Sequence, residues 1–209
     1  MSGIQLMFLG QAQQSGSNAT STFINSYGIA ASQTTYNFTT ASLSAGLVVI
    51  VVHSEIGQAT SNPSTGVTIG GVTATLAVSA AGGSVGLGAV STDIWYAVIG
   101  SSTTSVVVNY GASPFRCGIG VYTVANYTST TPSFTGVDAS SSSEQVRTVT
   151  TDSVSGAIIA GASSGDIYAH TWSGATENYD EQIGGTGLTG QTGASLSNTI
   201  IKAYTICIT

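Results

Sequence analysis

Ile69-Gly70-Gly71-Val72-Thr73-Ala74-Thr75-Leu76-Ala77-Val78-Ser79 is the stretch that decides the fold. Val72, Ala74, Leu76 and Val78 alternate with Thr73, Thr75, Ala77 and Ser79. That two-residue period belongs to a strand with one buried and one semi-wet face. Gly70-Gly71 stands between this run and Val67–Ile69, and paired glycines accept the positive φ of the primed turns that join antiparallel strands. A hairpin is predicted. Upstream, Ala45-Gly-Leu-Val-Val-Ile-Val-Val52 is the longest apolar stretch. It falls far short of the roughly 20 residues that cross a bilayer and reads as a buried strand.

Outward from this hairpin, β-branched runs punctuated by Gly and Ser recur along the whole chain. Further strands are predicted at Leu6–Ala12, Thr34–Thr40, Gly46–Ser54, Val90–Ile99, Ser105–Tyr110 and Gly118–Tyr127, then at Gln145–Thr151, Ala157–Ala162, Tyr168–Trp172 and Thr199–Ile208. Gly82-Gly83 and Gly111-Ala-Ser-Pro114 are expected reversals. Gln11–Ser21 reads as a polar connection, and the low-complexity Gly184–Gly193 as a long loop. No segment shows a 3.6-residue period with caps. The expectation is an all-β, antiparallel, jelly-roll-like β-sandwich. It forms a single domain over residues 1–209, with a short N-terminal strand or arm at about 1–33.

Composition narrows the function. Only 6% of the residues are charged, too few for the charged outer faces of a coiled coil or long amphipathic helix. A hydrophobic fraction of 42% is enough to bury a core, which argues against disorder. Net charge is −6, with three dispersed cations, Arg116, Arg147 and Lys202. They offer no phosphate-tracking surface, so no nucleic-acid partner is expected. The apolar run at the N-terminus, Leu6 to Leu9, has no basic region before it and is too short for a signal peptide. Synthesis in a cytoplasm without a cleaved signal is expected, with no membrane partner. Cys117 and Cys207 lie 90 residues apart in apolar strands. Two buried reduced thiols fit better than a disulfide, and no metal ligands are spaced around them.

The chemical motifs are weak. Gly82-Gly-Ser-Val-Gly86 and Gly161-Ala-Ser-Ser-Gly165 match the nucleophile-elbow pattern. An elbow needs a strand, a sharp turn and a helix, and nothing helical follows Ser84 or Ser163. His170 follows Ser163, but Asp166 between them is too near in sequence to act as the triad acid. No base or oxyanion helix is therefore expected beside either serine. Gly185-Thr-Gly-Leu-Thr-Gly190 has the letters of a dinucleotide fingerprint without the strand and helix that give it meaning. Glu177-Asn-Tyr-Asp-Glu181 is read as a solvated acidic turn, with a calcium loop as its alternative. Glu55, Asp93, Asp138 and Asp152 are placed in or beside turns, and a glycosidase would need two of them to converge on a cleft. His53 is expected to be a rim or core histidine. Trp95 and Tyr96 must point to opposite faces, so one of them is core. Tyr168, His170 and Trp172 share one strand face. Exposed, they would form a sugar-stacking platform; buried, they would be sandwich core. Catalytic residues, cofactor and metal are all expected to be absent.

Gly70-Gly-Val-Thr-Ala-Thr75, Ile94-Trp-Tyr-Ala-Val98, Ser105-Val-Val-Val-Asn109 and Val121-Tyr-Thr-Val-Ala-Asn-Tyr-Thr-Ser-Thr-Thr-Pro132 follow one another in order. Together they resemble a recurrent jelly-roll-like β-sandwich domain of tailed-phage structural proteins and bacterial surface proteins, over Phe8 to Ile208. The resemblance implies structure and adhesion without catalysis, and it brings no catalytic residues with it. The chain begins at its own Met and carries a Gly-rich insertion near 184–193, which favours a free-standing virion component over a multidomain adhesin. The expected function is a non-enzymatic virion protein of a tailed phage: a capsid decoration (cement) protein, or a head or tail appendage. The alternative is a carbohydrate-binding adhesin or tail-fibre module using Tyr168, His170 and Trp172. Expected partners are further copies of itself, most simply a trimer, and other virion proteins such as the major capsid protein. With so few charges, exposed apolar surface must be covered, through a sheet face or through Leu6–Ala12.

Overall fold

The computed structural model describes residues 2–10, 19–56, 62–84, 88–127, 129–131, 134–139, 156–164, 176–183 and 199–208. The described residues contain no helix and fourteen strands. These are β1 (Ser2–Gly10), β2 (Thr20–Ile29), β3 (Thr35–Leu43), β4 (Gly46–Ile56), β5 (Ser64–Ile69), β6 (Val72–Thr73), β7 (Thr75–Ser84), β8 (Gly88–Ile99), β9 (Thr103–Tyr110), β10 (Arg116–Ala125), β11 (Phe134–Ala139), β12 (Gly156–Ser164), β13 (Thr176–Ile183) and β14 (Thr199–Ile208). Each strand pairs antiparallel with its neighbours. The protein is an all-β antiparallel sandwich.

Three sheets form. Sheet I has the order β11-β1-β12-β14-β13, sheet II β2-β10-β4-β8-β7, and sheet III β3-β9-β5-β6. Between β2 and β10 the chain crosses repeatedly between sheets II and III, with β5 and β6 consecutive in III and β7 and β8 in II, so that β10 returns beside β2 and β9 beside β3. This is the double Greek key of a jelly roll. One strand switches sheets: β6 ends sheet III, and past Ala74 the chain enters sheet II as β7. Sheet I lies against the other face of sheet II, where β1 meets β7 and β8, and β13 meets β2.

Sheet II is therefore covered on both faces. Tyr36, Val48, Ile50, Val52, Trp95, Val106, Val108 and Ile119 close the core between sheets II and III. Leu47, Val49, Val51, Ile94, Tyr122, Ile159 and Tyr179 close the core between sheets II and I. That is why β4 has no polar alternation: ten of its eleven residues are buried, as in strands covered on both sides.

The hairpin at Gly70-Gly71 forms as read, with φ of 58° and 82° and Ile69 opposite Val72. Both residues are left-handed, which glycine alone adopts without strain. A side chain at 70 would also strike Thr103. Gly82-Gly83, expected as a reversal, instead lies inside β7, opposite Val90 and Ala89. Glycine weakens a strand but does not end it when the partner strand continues. Within the N-terminal strand or arm expected at about 1–33, residues 2–10 form β1, paired on one side with β11 and on the other with β12, while residues 20–29 form β2 of sheet II. β2, β11 and β13 were not predicted. The predicted strands Gln145–Thr151 and Tyr168–Trp172, and the loop Gly184–Gly193, lie outside the described residues.

Leu47 and Ile50 face opposite cores, and both are fully buried. Alanine at either should cost about 2–5 kcal/mol by transfer and cavity terms. Aspartate, an unpaired buried carboxylate, should abolish folding. Urea unfolding of the alanine variants and expression of the aspartate variants check this; a stable Leu47→Asp protein would mean that sheet I does not cover sheet II.

Candidate functional site

The ionisable residues of the jelly roll cluster at one end of β4 and β8, where valines give way to His53-Ser54-Glu55 and Ser91-Thr92-Asp93. Register sets His53 beside Thr92, and Ser54 beside Ser91. Alternation then sends the two halves of each run to opposite faces of sheet II.

On the face toward sheet I, His53 is wholly buried. Its Nδ1 lies 2.8 Å from Ser163 Oγ and its Nε2 3.0 Å from Tyr179 Oη. Ser163 Oγ is also 2.6 Å from Thr92 Oγ1 and 3.3 Å from the Ser91 carbonyl oxygen. Hydroxyls donate or accept as required, so either imidazole tautomer is satisfied. Burial pushes the Tyr179 phenol above its ordinary range, helped by Tyr122 and Glu181 nearby. Two glycines make this approach possible. A side chain at Gly120 would occupy the place of the Tyr179 hydroxyl, and one at Gly161 would overlap Val51.

The rest of β13 is fastened in the same way. Tyr122 donates to Asn178 Oδ1 at 3.2 Å, Ser26 Oγ donates to Glu181, and Arg116 Nη1 donates to the Ile183 carbonyl at 2.7 Å. Arg116 Nε also sits 3.1 Å from Glu55 Oε2 in a buried ion pair. Phe23 packs between Tyr122 and Tyr179, with ring centroids 5.3 and 5.2 Å away. The seam between jelly roll and outer sheet is thus both polar and aromatic.

On the opposite face, Asp93 is buried and accepts three hydrogen bonds. Ser64 N donates at 2.7 Å, Ser64 Oγ at 2.5 Å and Ser79 Oγ at 2.5 Å. Trp95 Nε1 donates to Ser64 Oγ at 2.8 Å. Desolvation nevertheless outweighs these donors and raises the Asp93 carboxyl to about 6. Cys117 is a free buried thiol that accepts from Tyr110 Oη at 3.3 Å, and burial pushes it up.

Several sequence expectations are corrected here. No base was expected beside Ser163, yet His53 stands there; the intervening 110 positions hid it. Ser163 lies inside β12, not on an elbow. Its hydroxyl is fully buried between sheets II and I. Ser84 ends β7. Glu55, Asp93 and Asp138 lie in strands β4, β8 and β11, Glu55 and Asp138 each one residue from the strand's end. Glu55 and Asp93 point to opposite faces of sheet II and cannot converge as a glycosidase pair requires. Glu177–Glu181 lies within β13, an edge strand, and not in a turn; among the described residues no group of three or more His, Cys, Asp or Glu could hold a metal. His53 proves to be a core histidine, with Trp95 buried and Tyr96 half-buried on opposite faces. Tyr168, His170, Trp172, Asp152 and the Gly185–Gly190 motif lie outside the described residues. Sequence reasoning missed Tyr179; the period-two set Tyr179, Glu181 and Ile183 was the available signal. Comparison with protein-family models, with curated proteins and with solved structures returns no match.

Two outcomes follow from this geometry. Gly120→Ala should destabilise the protein by about 1–3 kcal/mol, the cost of overpacking. Tyr179→Phe should cost about 1 kcal/mol, one hydrogen bond. Thermal melts read both; an unchanged melt for Gly120→Ala would contradict the close approach of β13. For Asp93 the folded value of about 6 exceeds the ordinary 3.8. The folded state therefore holds the proton more tightly, and the stability this confers is present below about pH 4 and lost as pH rises through about 6. The stability of the native protein minus that of Asp93→Asn should fall by about 2 kcal/mol from pH 4 to pH 7. A difference that does not vary with pH would show that Asp93 titrates normally.

Proposed function

We propose that this protein is a non-enzymatic structural subunit of a tailed-phage virion: a capsid decoration (cement) protein, or a comparable head or tail appendage. The observation that carries the reading is the charge-free exterior of the jelly roll. Residues 20–125 contain Glu55, Asp93 and Arg116 as their only Asp, Glu, Lys or Arg, and all three are buried. Soluble domains rely on surface charge to stay apart. A domain that turns hydroxyls, amides, glycines and scattered Val, Leu and Phe outward is suited to contact with other subunits. Val98 is 48% exposed, and Leu76 and Phe115 are exposed to a similar degree.

The sealed seam supports the same reading. A Ser–His contact that could exchange a proton is spent on joining two layers, with both side chains fully buried among the described residues. The order of motifs that resembles phage structural domains points the same way, toward copies of itself, with a trimer favoured, and toward a major capsid protein as partners. The setting is the virion, after synthesis in the host cytoplasm.

Mass spectrometry and cryo-electron microscopy of purified particles test this, with the expected result that the chain is present in symmetric copies on head or tail. Ser84→Ala and Ser163→Ala should remove no hydrolytic activity, although Ser163→Ala, which leaves buried His53 and Thr92 without a hydroxyl partner, should cost about 1–3 kcal/mol of stability. If Ser163→Ala abolishes an esterase or glycosidase activity, the proposal fails. If Trp172→Ala particles assemble but no longer adsorb to cells, a carbohydrate-binding adhesin replaces it.

A further inference from the structure

The two cores of this molecule differ in where their residues come from. The core between sheets II and III is closed by one contiguous segment, and every residue of it lies between Ile24 and Val121. The core between sheets II and I joins two parts of the chain, with Ala157, Ile159, Tyr179 and Ile183 packed on Leu47, Val49, Val51 and Ile94. Backbone pairing divides at the same place. Among the described residues, β1, β11, β12, β13 and β14 pair only with one another, and no ladder joins them to sheet II or sheet III. Lifting sheet I breaks no strand pair of the jelly roll.

Side chains hold sheet I down. Gly28 and Gly120 leave the room that Ile183 and Tyr179 fill. Around them stand the hydrogen bonds of His53 with Ser163 and Tyr179, of Tyr122 with Asn178, of Ser26 with Glu181 and of Arg116 with the Ile183 carbonyl. Each of these groups regains water when the layer lifts, so each bond adds only a modest net resistance to opening.

We propose that sheet I is a displaceable layer, which opens as one unit while the jelly roll beneath it stays folded. Native proteins open in contiguous cooperative units of this kind, below the free energy of global unfolding. β1 sets the size of the unit. It is the only strand partner of β11 and runs beside β12 over nine paired residues, so the sheet does not come away strand by strand. Once lifted, a single sheet has no second layer to bury its face and unfolds. The open state uncovers Leu47, Val49, Val51 and Ile94, each at most 1% exposed when the layer is closed. A contiguous apolar surface of that kind takes up partners. Such an opening belongs to the fold itself and holds whether or not the chain is a virion subunit.

Urea unfolding of the whole chain, read by pulsed hydrogen exchange and mass spectrometry, tests this. β12, β13 and β14 should lose protection together, at a lower urea concentration than β3, β5 and β9. Tyr179→Phe should lower the first midpoint by about 0.5–1 M and leave the second in place, because the tyrosine hydroxyl is bonded only in the closed state. Ile69→Val, inside the jelly-roll core, should lower the second midpoint alone. Asn178→Ala, at a half-buried position of β13, repeats the first result should Tyr179→Phe misfold. Loss of protection in all strands at one urea concentration overturns the proposal. So does a seam variant in which β9 and β13 lose protection earlier by the same amount.

Discussion

The centre of sheet II is covered on both faces, and most of what is unusual in this chain follows from that. A sheet of an ordinary sandwich puts one side against its partner and leaves the other to water, so its strands alternate. Here sheet III covers one side and sheet I the other, and β4 is buried from Leu47 to Ile56. Any polar group on the sheet must then find a protein partner or bear the cost of desolvation. The valine and isoleucine run is one response to this constraint. The hydroxyl-rich ends of β4 and β8 are the other.

Those ends sort their polar groups by face. His53, Thr92 and Ser163 join the jelly roll to sheet I, while Ser64, Ser79, Asp93 and Trp95 join the two sheets of the jelly roll itself. Because β-strand neighbours point oppositely, two consecutive residues, Thr92 and Asp93, serve different interfaces. The two networks differ in kind. The first is made chiefly of neutral hydroxyls around an imidazole and is satisfied in either tautomer. The second holds a carboxyl that three donors do not fully compensate for burial. Buried networks of this sort fix the register of layers, because a slip would leave every member unpaired.

Charge follows the same logic from outside. With Glu55, Asp93 and Arg116 drawn inward, the jelly roll turns an uncharged surface to its surroundings. The exposed acids of β13, Glu177, Asp180 and Glu181, stand on sheet I, the layer on the other side of sheet II from the uncharged sheet III. An edge strand with Glu177, Asp180 and Glu181, and a register shift between Glu177 and Tyr179, is also guarded against pairing with another chain.

The sequence by itself determined the class of fold and several of its turns. Period-two alternation at Val72–Val78, the paired glycines at 70 and 71, and the absence of any helical period each express a local backbone preference, which needs no distant partner. Tyr27 and Ile29 of β2 share one face, and Tyr179 and Ile183 of β13 another, but polar neighbours masked these pairs, and in β2 a register shift turns Phe23 to the opposite core. What only the tertiary structure decided is which distant residues meet. Ser163 was weighed against His170, seven positions away, yet its partner is His53, 110 positions upstream. The apolar run of β4 announces burial without saying by what. Nor does alternation state whether Gly120 is a loose point in a strand or the place where a tyrosine hydroxyl comes to rest. Such contacts depend on how three sheets stack, and no local pattern encodes the order of layers, because each strand's preference is satisfied equally by any neighbour that covers its face.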